Sequence, residues 1–228
     1  MSSQLRFEHA LGAAMGGHWC PTWRGGRFEA ARDHIGFNDV VEIAKDGQSW
    51  RIGTSAQIGW IANGTSIGQS ITSAIPPVFA AYATLWQSDD DRVATTVYEQ
   101  AVLSHLIEQT AADQPWWLGY LDTGSHDVVF NEAPRVTLYA GWDYVLVEAG
   151  PKQAATWRTG HPRSPHGSLP DLIFPADRSW LFSALWDDTW TCVGGPRRLI
   201  DALAADILMQ SRSVQLDEDA TPPGHHYI

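Results

Sequence analysis

An α+β fold, a mainly antiparallel sheet with helices packed on one face, is what this 228-residue sequence predicts. Short apolar or alternating runs divided by Gly, Pro, Asn and Asp fill the second half. Asp46-Gly47 sits between two strand-like runs, and helical spacing recurs around them. With 44% hydrophobic residues the chain can bury one sizeable core. It reads as a single domain over 1–228, in which 1–112 is a helix and meander region and 113–228 is strand-rich.

Leu5, Ala10, Leu11 and Ala14 stand at helical spacing, so 5–15 reads as a short amphipathic helix. Gly16-Gly17 and Gly25-Gly26 bracket an irregular stretch. Asp39–Lys45 and Gln48–Thr54 flank Asp46-Gly47 as a hairpin, and Gln57–Ala62, ended by Asn63-Gly64, adds a third strand. A helix begins in Ser66–Ser73, and Pro76-Pro77 either ends it or starts the next; Val78–Trp86 reads as helical and buried. Asp89-Asp90-Asp91 suits the positive end of the next helix, which runs to about Thr110 through Val93, Val97, Ala101 and Val102.

Strands follow at Trp116–Leu121, Asp127–Phe130, Arg135–Ala140 and Tyr144–Ala149, then a short helix opened by Gly150-Pro151. Thr159–Pro170 is a polar loop. Ser179–Trp186 and Thr189–Val193 read as a hairpin, with a helix as the alternative for the first. Pro196–Ile207 is a helix started by proline, Ser213–Leu216 a last strand, and Asp217 onward a loose tail.

Composition narrows function before any motif does. Acidic residues outnumber Lys and Arg by 26 to 15, a net charge of −11, so DNA, RNA and anionic membranes are electrostatically opposed as partners. No run reaches the length of a membrane span, the start carries no secretory pattern, and two cysteines, Cys20 and Cys192, make no disulfide framework; a cytoplasmic protein is expected. The 12 tryptophans are spread along the chain, which favours rings packed in and around a core over an aromatic cage.

The sharpest local motif is Leu121-Asp122-Thr123-Gly124-Ser125, followed by the apolar run Val128-Val129-Phe130. It resembles the active-site loop of aspartic peptidases, the retroviral type above all. That resemblance implies a catalytic Asp122, paired with a second Asp122 across a homodimer because the chain holds one Asp-Thr-Gly, the two carboxylates sharing a proton. Val145-Leu146-Val147-Glu148-Ala149-Gly150 is loosely similar to the apolar-apolar-Gly element of the same family. The other reading of Asp122 is a side chain capping its own turn.

His18, Cys20, Asp33 and His34 match no familiar zinc frame, and no phosphate loop, dinucleotide fingerprint or hydrolase triad is present, so no metal and no cofactor is expected. His161 and His166 read as exposed in the polar loop, and His225-His226 as a flexible end. Longer segments, Pro115 to Gly124, Tyr139 to Pro151 and Leu169 to Trp180, resemble bacterial proteins with no assigned activity. In size, acidity and sheet-plus-helix character the chain is similar to toxin-immunity proteins, which implies a protein partner. The expectation is therefore a non-enzymatic cytoplasmic protein that binds another protein through an acidic surface with exposed aromatic residues, the alternative being an aspartic-peptidase-like hydrolase using Asp122.

Overall fold

The computed structural model describes residues 41–87, 94–123, 129–139, 141–158, 169–185 and 190–225, all within the unit Asp33–Ile228. The helix expected over 5–15, Asp89-Asp90-Asp91 and most of the polar loop, 159–168, lie outside them.

Ten strands make one antiparallel sheet: β1 (Val41–Lys45), β2 (Gln48–Ile52), β3 (Ala81–Trp86), β4 (Trp116–Leu121), β5 (Val136–Leu138), β6 (Trp142–Ala149), β7 (Leu172–Pro175), β8 (Leu181–Ser183), β9 (Trp190–Gly195) and β10 (Gln210–Ser213). Their order is β1-β2-β6-β4-β7-β8-β9-β3-β10, with β5 paired to β6 beyond that path. The helices among the described residues are α1 (Ser55–Ala62), α2 (Thr95–Glu108), α3 (Pro151–Thr156) and α4 (Arg197–Ala205).

β4 lies at the centre, and all six of its residues, Trp-Trp-Leu-Gly-Tyr-Leu, are buried. A strand covered on both faces needs no polar alternation, which is why its sequence is an unbroken apolar run. Trp116, Leu118 and Tyr120 enter one core with residues of α2, α3 and α4, while Trp117 and Leu121 enter a second with Ile58 and Ile61 of α1 and Ile71 of a 3-10 turn. Three helices thus pack on one face, and α1 with its turn closes the other. Gly119 keeps the sheet tight, since a Cβ there would stand 2.8 Å from the Leu172 Cβ.

The Asp46-Gly47 hairpin forms as expected: Asp46 and Gly47 take φ of 55° and 76°, the double left-handed turn that matches strand twist, and Lys45 pairs with Gln48. α2, α3, α4, β4, β6 and the β8–β9 hairpin also answer their sequence signals.

Four assignments are corrected. Gln57–Ala62 belongs to α1, because Thr54 and Gln57 form a reciprocal cap: the Thr54 N–H donates to Gln57 Oε1 at 2.7 Å while Thr54 Oγ1 accepts from the first turn. Within Ser66–Ser73 only Ile71–Ser73 turns, as 3-10. Val78–Trp86 contains strand β3, whose Ala81–Trp86 pair residue by residue with Gly195–Trp190; a short apolar run carries no period that separates the two states. The last strand is Gln210–Ser213 rather than Ser213–Leu216, and the tail after it is tied down. Arg212 on β10 reaches the Glu218 carboxylate and the Thr221 carbonyl, the Ala220 N–H donates to Gln69 O at 2.8 Å, and Ala220 is fully buried. Val129 and Phe130 are described outside any strand, and β7 had no counterpart in the sequence reading.

Tyrosines test how closed this double core is. Burial raises the phenol pKa of Tyr82, Tyr98, Tyr120, Tyr139 and Tyr144 above the ordinary 10.0, that of Tyr98 to about 12. The folded state holds these protons more tightly than the unfolded chain, so their contribution to stability is intact below pH 10.0 and is lost as pH rises through the shifted values. Alkaline titration followed by phenolate absorbance and circular dichroism should show these protons released together with cooperative unfolding; five independent releases in a folded protein would contradict the packing.

Candidate functional site

Asp122 follows β4, where its N–H donates to Asp143 O at 2.8 Å and anchors it beside β6. Its carboxylate Oδ2 accepts from Arg135 Nε at 2.9 Å, and the two side chains are 31% and 26% exposed. The same guanidinium donates to the carbonyls of Ala133 and Asn131, so Asp122 is the fixed end of a clamp on the turn before β5. The rest of the motif, Gly124-Ser125 and on to Val128, lies outside the described residues.

Deeper in, a second arginine makes a stronger set of bonds. Arg158, just past α3 and 6% exposed, grips Asp171 with Nη1 at 3.1 Å from Oδ1 and Nη2 at 2.7 Å from Oδ2. It also donates to Leu169 O at 3.2 Å and lies 5.0 Å over the Tyr120 ring. Asp171 Oδ2 accepts the Leu121 N–H at 2.8 Å, and Glu99 of α2 accepts the Leu169 N–H at 3.1 Å. α2, α3, β4 and β7 therefore converge on one charge-assisted network, a geometry that a planar guanidinium supplies and a lysine cannot. No spacing in the sequence announces it.

The tryptophans are largely accounted for by packing. Trp116, Trp117, Trp180 and Trp190 are buried; Trp50, Trp60, Trp86 and Trp157 are half-buried; among those described only Trp142, at 38%, is exposed. Trp157 is sandwiched edge-on by Trp50 at 4.9 Å and Phe130 at 5.3 Å. An exposed aromatic surface is thus not how most of these rings are used.

Trp60 is the ring that borders open space. A groove of about 520 Å³ runs between α1, the Val78–Ala80 turn, the Arg178–Ser179 turn and the start of α4, with Trp60 and Phe79 as its aromatic wall. Phe79 meets Trp60 edge-on at 6.0 Å, and it fits against β9 because Gly194 has no side chain: a Cβ there would come within 2.5 Å of Phe79. Arg178, at a left-handed φ of 59°, holds its guanidinium 5.6 Å over the Trp60 ring. Val78 stands at the rim, 64% exposed. Trp60 and Arg178 come together only through the fold, which is why sequence spacing missed the site.

Among the described residues no group of three His, Cys, Asp or Glu could hold a metal, and no helix is long and apolar enough to cross a membrane. His18, Cys20, Asp33, His34, His161, His166 and His226 lie outside those residues, and Cys192 is buried on β9. The chain matches no protein-family model, no curated protein and no solved structure, so likeness to other proteins assigns it neither a family nor an activity.

The two arginine clamps should separate in a mutational test. Arg158→Met strands a largely buried Asp171 and should cost about 3 kcal/mol or more in urea unfolding. Asp122→Asn, half-solvated and still able to accept from Arg135, should cost under about 1 kcal/mol.

Proposed function

We propose that this chain is a non-enzymatic cytoplasmic protein that binds another protein, and that the Trp60–Arg178 groove is where the partner docks. One observation carries the reading: the groove combines an aromatic wall, an arginine and an exposed apolar rim on segments fixed by the sheet. Trp and Arg in a partly desolvated pocket are the side chains that dominate binding energy at protein interfaces. The sheet sets their positions beforehand, so little ordering cost is left for the moment of binding. The acidic surface expected from composition then plays a secondary part, steering and keeping the protein soluble.

Asp122 supports this reading over the hydrolase alternative, since its carboxylate already serves a structural clamp with Arg135. A photo-reactive amino acid placed at Val78 and irradiated in an extract of the source cell should give a discrete covalent protein adduct. The adduct should disappear with Arg178→Glu and be absent when the probe sits at exposed Asp113. Equal labelling at both positions, or none at Val78, would reject groove docking.

A further inference from the structure

Most of the described arginines are paired. Among the described residues, Arg51, Arg135, Arg158 and Arg212 each contact a carboxylate, and Arg198 donates to Gln109. Two remain without an ion pair or a hydrogen-bonding side-chain partner, Arg178 and Arg197, although the chain carries 26 acidic residues against 15 basic ones. Arg178 lines the groove, and Arg197 directly follows Pro196, which also lines it. Among the described residues no acidic side chain lines the groove; the neighbouring Asp177 turns its carboxylate to the Ser179 N–H at 3.0 Å.

Other donors gather at the same place. Trp60 Nε1 and Ser179 Oγ are shielded from solvent and have no hydrogen-bond partner, and both residues line the groove. Buried donors without acceptors are uncommon in folded proteins and call for an explanation at each site. The first turn of α4 adds its own partial positive charge, since Pro196 at the N-cap supplies no capping side chain. Those two shielded atoms are closed to a ligand, but a cation and a helix start beside an aromatic wall still lack one component, an acceptor with negative charge.

We infer that the groove recognises an acidic segment of the partner: one carboxylate set against Arg178, with a neighbouring flat apolar side chain laid along Trp60 and Phe79. The inference rests on the docking reading above and specifies its chemistry. Guanidinium and carboxylate match as a planar pair. The apolar neighbour is needed because the pair is open to solvent and gains little by itself. The net charge of −11 opposes a strongly acidic partner at long range but is screened beyond about 8 Å at physiological ionic strength. A single carboxylate on an otherwise neutral segment is therefore the best fit.

The test titrates the peptide acetyl-Gly-Trp-Glu-Gly-amide into the isotope-labelled full chain and follows the Trp60 indole N–H, assigned through Trp60→Phe. The Trp60 signal should shift in a dose-dependent way, and the Gln-for-Glu peptide should bind about threefold more weakly. Arg178→Gln should abolish that difference while leaving the remaining spectrum in place, and added salt should weaken only the Glu peptide. Equal affinity for the two peptides, or a Trp60 signal that neither moves, would overturn the carboxylate assignment. If the Val78 adduct forms while this titration fails, docking stands and its chemistry is not anionic; if both fail, the groove reading falls as well.

Discussion

A strand that is apolar on both sides cannot rest at a surface, and β4 is such a strand. Its burial obliges the chain to supply two covers, one from α2, α3 and α4, the other from α1 and the turn at Ile71–Ser73. It also fixes where side chains can project usefully. With both faces sealed, open chemistry is confined to strand ends, to turns and to strands paired on one side alone, which among the described residues are β1, β5 and β10. Asp122, Asp171, Arg178 and Pro196 all stand at such ends, and the groove is a gap between turns.

Each strand end meets the same difficulty, polar backbone groups leaving a dry interior, and the chain meets it with arginine. Arg158 gathers Asp171 and Leu169 O, Arg135 gathers Asp122 and two carbonyls, and Arg212 gathers the tail. In each case one guanidinium with several donors closes a turn that carries more acceptors than the sheet can satisfy. Arg178 departs from this use: its planar face lies on Trp60, and its N–H groups have no acceptor among the described residues.

Sequence patterns made the antiparallel sheet legible where local chemistry is decisive. Asp46-Gly47 dictates a turn by backbone sterics, Trp116–Leu121 is too apolar for anything but the interior, and Pro151 and Pro196 open helices because proline suits those positions. Legibility ended where a segment's state depends on its neighbours. Ala81–Trp86 is a strand because β9 and β10 flank it, and nothing within those six residues says so. The cap on α1 was readable as Thr54-x-x-Gln57 but sat inside a run that also reads as strand. Of the site, the sequence pointed to Asp122, a local motif, whereas Trp60, Phe79 and Arg178 converge from three distant segments and leave no trace in any spacing.

The strand order also governs how the chain assembles during synthesis. β3 lies between β9 and β10, so residues 81–86 find their partners only after the chain has grown through 190–195 and 210–213. Until then an apolar strand with two open edges leaves the ribosome unpaired, whereas β4, β6 and β7 can pair soon after they emerge. Such long-range closure is slow and exposes sticky surface while it waits. The nascent chain is therefore a natural client for a holding chaperone, and truncations that remove β9 should be far more prone to aggregate than their small size suggests.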